Sequence, residues 1–357
     1  MRAWLDGCAG TLADTDRTHW RITIMSHNNH PDSIDNRLSG DEHAEKGAYE
    51  RTIGVEDSSE LAESRYRLLV PVLNENSIEN IERIMQAAAT IARDRDGDLL
   101  VLCVVDVPRQ TPYEALTDDQ PHVRNAHEAV KRLLQVAEET GVEAEGIVCF
   151  THQESKAILD IAGRYECDGV FMIVDSDQSQ RRRLLSGDTV ETIVSHADTD
   201  VFVEKLGEGA YPPERILLTA SGGPHSGLAA ETARVLARAS DAHIDVVHFL
   251  EEDPSTDKRD EPTEVLRAAE NVLGDLTHES ELVRAESVPE AIVTRSNEYD
   301  LTVLGAPTKG LLTQFIFGTV PDSVNQRAEN AVVMAKQRTG RTSAFQRWIT
   351  GDTNEET

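Results

Sequence analysis

Between Tyr66 and Lys336 the chain runs twice through one alternation: a short continuous apolar run, then a longer segment with apolar residues at helical spacing. In the first pass the runs are RLLVPVL (67–73), DLLVLCVVDV (98–107), VEAEGIVCF (142–150), GVFMIV (169–174) and DVFVEK (200–205). Segments 76–96, 122–140, 154–165 and 188–197 separate them. In the first of these Ile78, Ile81, Ile84, Met85, Ala88, Ile91 and Ala92 fall on one helical face. Continuous β-branched runs predict strands covered on both sides, which belong to parallel sheets with helical crossovers.

The second pass has the same order. Strands are predicted at 215–220, 243–250, 279–285, 301–305 and 331–336, and helices at 225–240, 263–276, 288–299 and 319–328. GDTVETIVSHADTDVFVEK (187–205) aligns without gaps on GTVPDSVNQRAENAVVMAK (318–336), sharing Gly, Ala, Val and the final Lys. The chain reads as a duplication. The fold expected is α/β, two tandem domains, each a mostly parallel five-stranded sheet with helices on both faces. The domains are drawn at 65–206 and 215–337, joined by a Gly- and Pro-containing linker, 207–214, and followed by a tail, 338–357. Residues 1–64 are polar, acidic and without sustained period, and are expected to be disordered. Met25 opens a segment that looks like a natural start, and His27 and His30 belong to the same polar tail.

Charge narrows the partners. With 64 acidic against 35 basic residues the net charge is −29, which repels nucleic acid and anionic membrane surfaces. Only seven of the basic residues are Lys. An acidic, lysine-poor surface suits a protein soluble in concentrated salt, where screening removes self-repulsion, and points to a halophilic, haloarchaeal-type cytoplasm; the alternative on composition is an ordinary acidic soluble protein. No stretch approaches the ~20 apolar residues of a membrane span, and the N-terminus lacks the order of a signal peptide, so a cytoplasmic protein is expected. The four cysteines, Cys8, Cys103, Cys149 and Cys167, show no metal-binding spacing, and Cys103 and Cys149 lie in strand-like runs as small hydrophobes.

The chemistry-bearing candidate is GAPTKGLLTQFIFGT (305–319), where two glycines bracket an apolar stretch between a strand and a helix. In an open α/β sheet, ligands sit at the carboxyl ends of the strands, and helix N-termini there offer amides and a positive dipole end to phosphates. Gly305 would let backbone approach a ligand, and Gly318 with Thr319 would add amides and a hydroxyl. This arrangement resembles the universal stress protein family, whose nucleotide-binding members carry G-x2-G-x9-G-[ST] after the fourth strand and an Asp at the end of the first. The resemblance covers 66–206 and 213–337. It implies flavodoxin-like (adenine nucleotide α hydrolase-like) domains, and self-association through the strand that closes each sheet. In a duplicated chain 200–205 and 331–336 would pair within one molecule as a pseudo-dimer, with a homodimer as a further option.

The second repeat matches the loop in part. Gly305, Gly318 and Thr319 fall on the family's first and last glycines and its hydroxyl residue; Thr308 stands at the middle glycine, with Gly310 two residues on, and Ser221 replaces the first-strand Asp. Lys309 is the cation nearest a bound phosphate, or a solvated loop lysine. In the first repeat only Gly187 is kept, Asp188 takes the hydroxyl position, and Asp175 and Asp177 add negative charge beside Arg181, Arg182 and Arg183.

A second motif, SGGPHS (221–226), is similar to the SGGxDS loop of ATP pyrophosphatases, with His225 where that loop has Asp. Its glycines, Gly222 and Gly223, also suit a plain strand-to-helix turn. There is no GxxxxGK[ST], GxSxG or HExxH, so a nucleophile, a base and a metal cannot be assigned, and no catalytic residue or metal ligand is expected. The site expected is Ser221, Gly222, Gly223, Gly305, Thr308, Lys309, Gly318 and Thr319, holding ATP or AMP with Mg²⁺ in a non-catalytic stress-response regulator. The alternatives are a ligand-free module regulating a partner such as a membrane transporter, and a pyrophosphatase-like enzyme. In the tail, Phe345, Trp348 and Ile349 make one apolar stripe expected to pack on the domain or on a subunit.

Overall fold

In a computed structural model of the chain the residues described are 22–26, 50–53, 65–73, 78–107, 120–174, 187–207, 212–252, 262–306, 330–340 and 345. The first repeat contains strands β3 (Arg67–Leu73), β4 (Asp98–Asp106), β5 (Ala144–Thr151), β6 (Gly169–Val174) and β7 (Asp200–Lys205). They alternate with helices α1 (Ile78–Asp94), α2 (Pro121–Thr140), α3 (Glu154–Arg164) and α4 (Gly187–His196). The second contains β8 (Arg215–Thr219), α5 (Ser226–Ser240), β9 (His243–Glu251), α6 (Pro262–Leu273), β10 (His278–Ala285), α7 (Val288–Ser296), β11 (Leu301–Gly305) and β12 (Ala331–Lys336). Two more strands, β1 (Ile22–Ser26) and β2 (Glu50–Ile53), precede both. The helix expected at 319–328 lies outside the described residues.

All twelve strands form one sheet, ordered β10-β9-β8-β11-β12-β7-β6-β3-β4-β5-β1-β2. Within each repeat the neighbours are parallel and the order is third, second, first, fourth, fifth. The two sheets join where β12 meets β7 antiparallel, Met334 opposite Val203, so the intrachain pseudo-dimer exists through the closing strands.

Alternation along each strand divides the core. On β3, Leu68, Val70 and Val72 face the layer holding α1, α2, α5 and α6, while Leu69 faces the α3–α4 layer. Because both faces are covered, the strand sequences read as unbroken apolar runs. Each fully buried Val, Leu or Ile contributes about 1.5–3 kcal/mol relative to exposure. Helix α2 starts with Pro at its first turn and stops at Gly141, whose φ of 75° is the left-handed region and whose N–H bonds the Glu138 carbonyl.

The first layer is continuous across the repeats, because α1 packs on α5 and both are rich in alanine there: Ala88 and Ala92 on one, Ala229, Ala233 and Ala237 on the other. Two ion pairs cross the same junction, Arg234 with Asp94 at 3.4 Å and Arg95 with Glu231 at 3.6 Å. Gly207 passes so close to Asn330 that a Cβ would lie 2.1 Å from its carbonyl carbon, so only glycine fits. Phe345 of the tail is buried in this layer; Trp348 and Ile349 lie outside the described residues.

The expectation that residues 1–64 are disordered needs correcting at two places. Ile22–Ser26 adds to the β5 edge in parallel, with Met25 inside the strand, and Glu50–Ile53 pairs antiparallel with it. The rest of 1–64, including His27 and His30, lies outside the described residues. Cys103, Cys149 and Cys167 are buried and unpaired, and burial pushes each thiol up to about 12. Among the described residues no helix is long and apolar enough to cross a membrane.

Candidate nucleotide site in the second repeat

The first and fourth strands of each repeat lie side by side, and their connections leave in opposite directions, which opens a crevice at their carboxyl ends. In the second repeat these strands are β8 and β11, with Thr219 beside Leu304. The chain leaves β8 through Ala220 and turns into α5 over Ser221-Gly222-Gly223-Pro224-His225. Three hydrogen bonds shape the turn. The Ser226 hydroxyl donates to the Ser221 carbonyl, which leaves the Ser221 hydroxyl to donate to Ser226 Oγ at 2.8 Å. The Ser226 N–H donates to the Gly223 carbonyl at 3.2 Å. Behind it the buried His248 donates from Nδ1 to the Ala220 carbonyl at 2.7 Å and fixes the end of β8.

The glycines here have different reasons. A Cβ at Gly305 would sit 3.0 Å from the His225 carbonyl carbon and 3.2 Å from the Ser226 nitrogen, so any larger residue must push the turn's backbone back by a few tenths of an ångström. Among the described residues a Cβ at Gly223 would meet only Ser221 Oγ, at 3.6 Å, an ordinary contact, so none of them requires glycine at 223. Helix α5 then begins with no side-chain cap and no acidic residue in its first turn, so neither its cap residue nor its own first turn compensates its positive end. A small, open turn at an uncapped helix start is what a phosphate group needs.

The structure therefore brings Gly305 against the Ser221–Ser226 turn, which places four expected residues, Ser221, Gly222, Gly223 and Gly305, at one crevice. Thr308, Lys309, Gly318 and Thr319 lie outside the described residues. Ser221, where the family has its Asp, is exposed at the strand end. His225 accepts the Gln337 N–H at Nδ1, 3.1 Å away, and burial together with the nearby Lys336 holds its imidazole below the ordinary histidine value.

The matching end of the first repeat is acidic. The Thr189 hydroxyl on α4 donates to Glu154 Oε2 at the start of α3, 3.3 Å away. Burial pushes the Glu154 carboxyl up, the Thr189 bond pulls it down, and Asp106 at the end of β4 pushes it up again. Carboxylates there oppose a phosphate. Asp175, Asp177, Arg181, Arg182 and Arg183 lie outside the described residues, while Gly187 and Asp188 open α4.

Two features escaped the sequence reading. One is a network at the opposite end of β8 and β9. Arg215 Nη2 meets Asp245 Oδ2 at 2.9 Å, His243 Nε2 meets Asp245 Oδ1 at 3.1 Å, and the guanidinium stacks over the Tyr299 ring at 4.7 Å. Burial pushes Asp245 up, but the Tyr299 hydroxyl nearby, the Arg215 hydrogen bond and the His243 beside it outweigh that and hold it low; the Tyr299 hydroxyl is pushed up to about 12, chiefly by burial. His243, Asp245 and Glu279 bring possible metal-ligand atoms within 4.8 Å of one another, but the Arg215 cation already occupies one side of Asp245. The alternation of His243 and Asp245 was a usable signal; Arg215 at the start of β8 and Tyr299 in the bend before β11 lie far away in sequence and gave none. The second feature is a repeated carboxylate. Asp168 accepts the N–H of Arg67, and Asp300 accepts those of Glu214 and Arg215, each locking the start of a first strand to the residue before a fourth.

The model of the universal stress protein family matches residues 66–205 and again 213–336. Among solved structures, a universal stress protein from Archaeoglobus fulgidus DSM 4304 is 17% identical with a TM-score of 0.50, over 77% of this chain and 97% of its own. A universal stress protein from Archaeoglobus fulgidus in complex with dAMP is 18% identical with a TM-score of 0.30, over 39% and 96%. Another universal stress protein, in complex with cAMP, is 20% identical with a TM-score of 0.28, over 37% and 99%. Among curated proteins nothing matches. Two family matches that together span most of the chain, on two copies of the same strand order, make this a tandem member of the universal stress protein family.

Proposed function

We propose that the chain is a non-catalytic regulator of the stress-response type that binds one adenine nucleotide, ATP or AMP, in its second repeat. The observation that carries this reading is the Ser221–His225 turn: it sits at the crevice, beside a helix start without a side-chain cap, with a glycine at 223 that the packing of the described residues does not require. Thr308, Lys309, Gly318 and Thr319 would complete the phosphate cradle, with Mg²⁺ offsetting the phosphate charge in a chain of net charge −29. The first repeat, with Glu154 and Asp106 at the matching end, serves as a structural partner rather than a second site.

Non-catalysis fits the same crevice, since the Ser221 hydroxyl and the His225 Nδ1 are both engaged in holding the turn. The acidic surface suits a salt-rich cytoplasm. Titration calorimetry of ATP into the full chain, in concentrated KCl with Mg²⁺, tests the reading beside Gly318→Val. Saturable binding near one site per chain, lost in the variant, is the expected result. No binding at millimolar ATP would overturn it and leave an interaction module, for instance one docking on a membrane transporter. Pyrophosphate release would instead favour the enzyme reading.

A further inference from the structure

Residues 336–338, at the exit of β12, alternate between the two repeats. Lys336 Nζ donates to the Ala197 carbonyl at the end of α4, 2.9 Å away, and the Arg338 N–H donates to Asp200 Oδ1 at the start of β7, 2.8 Å away. Between them the buried Gln337 turns the other way, and its N–H donates to His225 Nδ1 at 3.1 Å. An imidazole nitrogen that accepts carries no proton, so His225 is neutral with its proton on Nε2. The backbone of that same histidine is what Gly305 packs against. One imidazole therefore touches the glycine turn on one side and the junction of the repeats on the other, with the end of β11 against its backbone.

We propose that His225 is a positioning residue that pins the Ser221–His225 turn to the junction between the repeats through its Nδ1 bond to Gln337. The pin holds only while the ring is neutral, because a protonated imidazole has donors at both nitrogens and none to accept the amide. Among the described residues, β12 brings one charged group to the ring, Lys336, which together with burial disfavours the protonated form. The turn and the end of β11 bring no titratable side chain, and from the first repeat Asp198 and Asp200 face Lys336 rather than the imidazole. In the ordinary neutral range the pin is closed; acid opens it and frees the turn from the seam. The consequence for ligand affinity rests on the nucleotide reading above, whereas the bond itself does not.

The test is the amide resonance of Gln337 in the ¹⁵N-labelled full chain, followed from about pH 8 to about pH 5 in wild type and in His225→Asn. Asn presents Oδ1 near the place of Nδ1 but cannot protonate. The wild-type amide is expected to shift as its hydrogen bond is lost, with a midpoint below the ordinary histidine value of about 6.5, while the Asn variant stays flat. An amide that ignores pH in wild type, or titrates alike in His225→Asn, overturns the proposal. Calorimetry adds the functional side: His225→Ala weakens ATP binding about tenfold and His225→Asn restores it. If wild type binds no ATP, the nucleotide reading fails while the amide titration still decides the pin.

Discussion

At the residue scale the crevice turns on the difference between two glycines. At Gly305 a Cβ would crowd the His225–Ser226 backbone at 3.0–3.2 Å, whereas among the described residues one at Gly223 meets only Ser221 Oγ at 3.6 Å. Gly305→Ala therefore forces backbone apart and is expected to cost about 1–3 kcal/mol in chemical denaturation. Gly223→Ala should change stability by less than ~1 kcal/mol while weakening ATP binding, because its Cβ enters the ligand's space. The reverse ranking of stabilities would contradict this assignment. Sequence alone marked both positions as special, since a glycine after a strand is a strong signal. It could not tell packing from binding, because the atoms that decide at Gly305 belong to residues some eighty positions earlier. Arg215 and Tyr299 were illegible for the same reason.

At the element scale β7 carries an unusual residue. Glu204 is 1% exposed, next to the buried apolar run Val201-Phe202-Val203, and its one described charge partner is Arg83 on α1, Nε to Oε1 2.9 Å. Burial pushes the Glu204 carboxyl up, and Arg83 pulls it back down. Arg83→Met would leave a buried carboxylate without its cation, with an expected loss of about 3–5 kcal/mol at neutral pH. Adding Glu204→Leu should recover most of that loss. The sign with pH follows from linkage. In the single variant the folded-state pKa lies further above the unfolded value, so the fold binds more protons than the unfolded chain. Its stability is therefore greatest below the unfolded Glu value and falls as pH rises through the folded one. Urea denaturation at acid and neutral pH checks both points, and a single variant as stable as wild type at neutral pH would contradict the pairing. Strand and helix identities were largely legible, since both periods are strong and repeated. β10 was read as a strand, but its pattern of His278, Glu279 and Glu281 gave little hint that it is the open edge, with Leu282 42% exposed.

At the scale of the whole molecule, duplication explains both the architecture and the division of labour. Fusing two copies makes the β7–β12 ladder and the α1–α5 packing intramolecular, so no second chain is needed to cover the closing strands. On the proposed reading one repeat needs no ligand site, and Glu154 and Asp106 stand at its carboxyl end. The gapless match of 187–205 on 318–336 made the duplication readable, and the family resemblance then implied this pairing. β1 was not readable: Ile22–Ser26 is a short run in a polar segment, and what makes it a strand is the β5 edge more than a hundred residues away. A single adenine-nucleotide site in the second repeat, as proposed, can be located by photolabelling the full chain with 8-azido-ATP in concentrated KCl and Mg²⁺, followed by peptide mapping. ATP-displaceable label is expected on peptides from 215–336; displaceable label on 66–205, or label that ATP does not displace, would rule the site out.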